Sequence, residues 1–67
     1  MSTNDVLYQL LDKAFSEFCA AASKEHREKF SELYSALYHL KEQMIAGEDI
    51  SKSLKKIQVD FDVTQST

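Results

Sequence analysis

Phe30, Leu33, Leu37, Leu40 and Met44 recur at alternating spacings of three and four residues. That is the a/d seam of a helix packed lengthwise against another helix. Tyr34, Tyr38 and Ile45 flank the seam and widen the apolar face beyond what a single neighbouring helix covers. Such a chain must bury its seam against more helix, either its own or that of another molecule.

A second stripe precedes it. Val6, Leu7, Leu10, Leu11, Ala14, Phe15, Phe18 and Cys19 repeat at helical spacing, and with Ala22 they cover more than half of a helical wheel. Ser2, Thr3 and Asn4 are good N-cap residues and Asp5 favours a helix start, so a first helix is predicted from about residue 4 to residue 22. Ser23 to Lys29 contains no apolar side chain. Running the first seam (Leu7, Leu11, Ala14, Phe18) through this stretch would land it on Glu25, Glu28 and Glu32. One straight helix would therefore aim its two apolar faces in different directions. A turn near Ser23, with Ser23 capping a second helix from about Lys24 to Ala46, fits the pattern better than one continuous helix.

Gly47 is the only glycine and stands just past the last apolar residues, where a helix C-terminus favours the left-handed conformation. Asp49 then offers a new N-cap, and Ile50, Leu54 and Ile57 make one apolar edge of a short third helix. From Gln58 the rhythm changes: Val59, Phe61 and Val63 alternate with Asp60 and Asp62, the period of a strand. The expectation is a helical domain over 1–57 and an extended or disordered tail over 58–67. The predicted class is all-α: an antiparallel helical hairpin, a short third helix and an extended C-terminal tail, paired into a dimeric bundle.

Size bears on the last point. At 67 residues the chain is a single domain whose lone core is marginal. Cys19 is the only cysteine, so no disulfide closes within one chain. Cys19, His26 and His39 stand at no metal-ligand spacing, so no metal or other cofactor is expected. Self-association along Leu7, Leu11, Phe18, Phe30, Leu33, Leu37, Leu40 and Met44 is the expected remedy. Cys19, inside the first arc, is read as a buried structural thiol with no neighbouring base to activate it.

Function classes narrow by elimination. One glycine and no proline leave no glycine-rich phosphate cradle, and no carboxylate pair forms an acid–base site, so an enzyme is not expected. No run of apolar residues is long enough to span a bilayer. The segment after Met1 lacks the basic and apolar parts of a secretory signal, and a cytoplasmic location is the expectation. The net charge of −3 argues against nucleic acid, for which Lys52, Lys55 and Lys56 are the only basic cluster. The expected role is protein binding, by an adaptor, chaperone or inhibitor that docks a helix face onto a larger protein. Phe15, Tyr34 and Tyr38 on the bundle and Phe61 on the tail are the candidate contacts, since aromatics dominate binding hot spots. A dimeric nucleic-acid regulator using the Lys52–Lys56 segment and a structural subunit of a larger assembly are the alternatives.

Overall fold

The computed structural model describes residues 2–66. Met1, where the secretory-signal reading begins, and Thr67, the last residue of the expected tail, lie outside the described residues. Three helices follow one another: α1 (Thr3–Ala20), α2 (Lys24–Ile45) and α3 (Ser51–Ser66).

Local chemistry sets each boundary. Ser2 caps α1, its hydroxyl accepting the Asp5 amide at 3.3 Å. At the other end Ala21 leaves the helix in an extended conformation. Ser23, also extended, caps α2 through its hydroxyl, which accepts the His26 amide at 3.2 Å. The predicted turn at Ser23 is therefore present. α2 ends in a pair of bonds that close its last carbonyls: Glu48 N donates to Gln43 O and Gly47 N to Met44 O, each at 3.0 Å. This six-to-one, five-to-two pattern needs a left-handed residue between them, and Gly47 supplies it at φ 90°. α3 begins where the Asp49 carboxylate accepts both the amide (3.0 Å) and the hydroxyl (2.7 Å) of Ser51. These two bonds hold the Asp49 carboxyl below its ordinary pKa, the hydroxyl bond contributing most.

The three-residue turn makes α1 and α2 an antiparallel pair. Phe15 meets Tyr34 near the turn, while Tyr8 and Lys41 share the far end of the same groove. α3 returns along the other side of this hairpin. Its start lies by Thr3 and Val6 of α1, and Phe61 lies by Lys13 and Phe30. α3 thus runs parallel to α1 and antiparallel to α2.

The core is built from all three helices. Leu7, Leu11 and Ala14 of α1, Phe30, Leu33, Leu37 and Leu40 of α2, and Leu54 and Phe61 of α3 are buried, as is Ile50 just before α3. Phe18 and Met44 are partly buried against them. The residues expected to form a self-association seam are therefore covered within one chain, because α3 supplies the missing helix face.

α3 corrects the expected tail. Residues 58–66 continue the helix, and no strand forms among the described residues. The deciding pattern is Ile50, Leu54, Ile57, Phe61 and Thr64, a four-three-four-three spacing that carries the core stripe through the predicted boundary at 57. Thr64 can be buried on that stripe because its hydroxyl donates to Asp60 O at 2.8 Å in its own helix. Phe61, expected as a partner contact on the tail, is 1% exposed. Its ring stands edge-on to Phe30 at 5.7 Å, with Lys13 Nζ 5.7 Å from its centroid.

Three outcomes follow from this arrangement. Phe61→Ala should cost about 3–5 kcal/mol in denaturant unfolding, enough to lose most of the folded population of so small a domain. Gly47→Ala should cost about 1–2 kcal/mol, from left-handed backbone strain alone, since nothing lies within 4 Å of an added Cβ. Because Asp49 has a lowered folded-state pKa, its ionised form stabilises the fold above its unfolded pKa of about 3.9. That contribution should fade as pH falls through the folded value. Comparing unfolding of the wild type and Asp49→Asn between neutral and acid pH should show their difference narrowing only on the acid side.

Candidate functional site

α3 covers one side of the α1–α2 hairpin, and the opposite side stays open. On α1 the open side carries Tyr8, Asp12, Phe15 and Cys19, spaced four, three and four apart, which is a second stripe turned away from the core. On α2 it carries Tyr34, Tyr38, Lys41 and Ile45 in the same rhythm. Between the two runs a shallow groove of about 340 Å³, floored by Leu11 and walled by Tyr8, Asp12, Phe15, Tyr34, Tyr38 and Lys41.

The rings form a connected row. Phe15 and Tyr34 have centroids 6.0 Å apart and tilted by 53°, so α1 and α2 are stitched at this point. Tyr34 and Tyr38, one turn apart, follow at 6.3 Å and 32°. Lys41 Nζ then lies 5.1 Å from the Tyr38 centroid, within cation–π range. On the far side of the two tyrosines, Ser35 and His39 complete a second depression of about 340 Å³, so the tyrosine pair is a ridge between two hollows.

Most of this aromatic surface meets water. Tyr8 is 45% exposed, Phe15 56% and Tyr38 44%, while Tyr34 is half-buried beneath them. Ile45, 70% exposed, extends the apolar strip past Lys41. Of the four aromatic contacts expected from sequence, the structure brings Phe15, Tyr34 and Tyr38 together and removes Phe61 to the core. Tyr8, Asp12, Lys41 and Ile45 belong to the same face but were not among the expected contacts. Their signal is the second stripe itself, hidden in an arc whose breadth conceals which part faces α2 and which faces outward.

Cys19 is a further correction. It continues the outward stripe one turn beyond Phe15 and is exposed, not buried. Lys52, Lys55 and Lys56 are exposed on α3, away from the groove, in line with two exposed valines, Val59 and Val63. His39 edges the second depression, and His26 stacks edge-on to Phe30 at 6.4 Å. Among the described residues no three His, Cys, Asp or Glu side chains are grouped to hold a metal ion. No described helix is long and apolar enough to cross a membrane. What the groove offers is aromatic faces, phenol hydroxyls, one carboxylate and one ammonium, a lining suited to bury apolar side chains and orient their polar neighbours.

No protein-family model matches the chain, nor does any curated protein or solved structure.

Proposed function

We propose that this chain is a small protein-binding module without catalytic activity, acting as an adaptor, chaperone or inhibitor of a larger protein. Its working surface is the aromatic groove between α1 and α2. One observation carries the reading: four aromatic side chains from two helices share the one side of the hairpin that α3 leaves uncovered, and three of them are about half exposed. A three-helix fold has no need of this row on its surface. Contiguous exposed apolar patches on small proteins mark interaction sites.

The mode is helix-in-groove. A partner helix laid between Tyr8 and Phe15 on one wall and Tyr34 and Tyr38 on the other would bury its apolar stripe over Leu11. Asp12 and Lys41, on opposite walls, would fix its direction through charge. Tyrosine suits this work, since it loses little side-chain entropy on binding and keeps a polar tip for the rim. A cytoplasmic setting belongs to the same proposal, supported by an exposed thiol that a reducing compartment keeps unpaired.

Affinity capture from a cell extract tests it, using the wild type, Phe15→Ala, Tyr38→Ala and, as a surface control on α3, Val63→Ala. Both groove variants should weaken capture of the partner about tenfold or more with the melting temperature nearly unchanged, while Val63→Ala binds as the wild type does. Equal capture by all four chains would remove the groove from the account.

A further inference from the structure

We infer that two copies of this chain pair through the aromatic groove, each covering the other's exposed row until a partner displaces it. The inference rests on the assignment of the groove as the binding surface and names a second occupant for it.

Charge placement selects the second copy and its orientation. On the α1 wall of the groove Asp12 stands one turn past Tyr8, with Asp5 one turn before Tyr8 on the same stripe just beyond the lining, and the α2 wall carries Lys41. Because α1 and α2 are antiparallel, Tyr8 and Lys41 lie at one level of the hairpin and Phe15 and Tyr34 at another. A two-fold axis running along the groove sets α1 of one copy over α2 of the other without changing these levels. Phe15 then meets Tyr34 of the second copy. Lys41 of the second copy falls opposite Tyr8, one helical turn from both Asp5 and Asp12. The symmetry makes every such pair twice. A two-fold axis across the groove would instead stack α1 on α1, bringing Asp12 against Asp12, so the charges reject it.

The area is of the right order. Three half-exposed aromatics and Ile45 offer on the order of 400 Å² of apolar surface. With the rim of Asp5, Asp12, Cys19 and Lys41 the face approaches the ~800 Å² per partner of a standard interface. The chain exposes 4744 Å² in all, so pairing would hide about a sixth of it. A domain of this size has few other ways to gain burial.

The test is a charge exchange read by solution mass. Light scattering or sedimentation equilibrium is run from micromolar to millimolar concentration on the wild type, Asp12→Lys, Lys41→Asp and the double variant. Melting curves at the lowest concentration check that each monomer folds. The wild type should pass from one chain to two. Each single reversal should raise the midpoint concentration about tenfold or more by setting like charges together, and the double variant should bring it back toward the wild type. A wild type that stays monomeric, a dimer indifferent to the single reversals, or a folded double variant without recovery would each overturn the inference. A monomer that still captures a partner through Phe15 and Tyr38 overturns self-pairing alone. A charge-dependent dimer whose groove variants capture as the wild type does overturns the larger-partner reading alone.

Discussion

Phe61 against Phe30 is the contact on which the rest of this molecule depends. A helical hairpin presents two apolar sides, and in water it can keep neither exposed without cost. By carrying Leu54 and Phe61 onto one side, with Ile50 just ahead of it, α3 completes a core from a chain with no disulfide, and no grouped metal ligands among its described residues. The same act defines the other side. Because α3 fills only one flank of the hairpin, the Tyr8–Phe15–Tyr34–Tyr38 row is left outside by topology.

The two faces differ in kind as well as in place. The covered face is aliphatic, with leucines at most positions and two phenylalanines wedged between helices. Aliphatic side chains of this sort interlock at the density of a crystal and have no polar atoms to satisfy. The open face is dominated by tyrosine and bordered by charge, a composition that tolerates alternation between water and protein. A chain that needed only to fold would have little reason to keep these surfaces distinct.

Much of the architecture is legible in the residues themselves. Ser23 as a cap, Gly47 as a left-handed terminator and Asp49 as the start of α3 act through bonds to residues within a few positions, so local chemistry announces them. Asp49 differs only in working from one residue further back, with Ile50 O accepting the first helical bond from Leu54 at 2.8 Å. The C-terminal segment reads ambiguously because Val59, Phe61 and Val63 satisfy two rhythms at once. Alternation suggests a strand, yet Val59 and Val63 are also one helical turn apart on the outer side while Phe61 extends the inner stripe. Only the packing of α3 on the hairpin decides between them. The aromatic row was legible in part: Phe15, Tyr34 and Tyr38 stood out by type, but where each arc meets its neighbours depends on the position of α3, which no local pattern gives. The exposure of Cys19 escaped for the same reason.

The three-residue connection from Ala21 to Ser23 has a consequence for how the chain reaches this state. Closing so short a loop forfeits little chain entropy, and every contact between α1 and α2 can then form by zipping outward from Ser23. The aromatic row belongs wholly to this first-formed unit, whereas Phe61 must arrive from some thirty residues beyond its partner Phe30. Loop-closure entropy therefore favours forming the aromatic row early and sealing the opposite flank last. The short loop thus ties the aromatic row to local contacts, and the core to a contact that spans nearly half the chain.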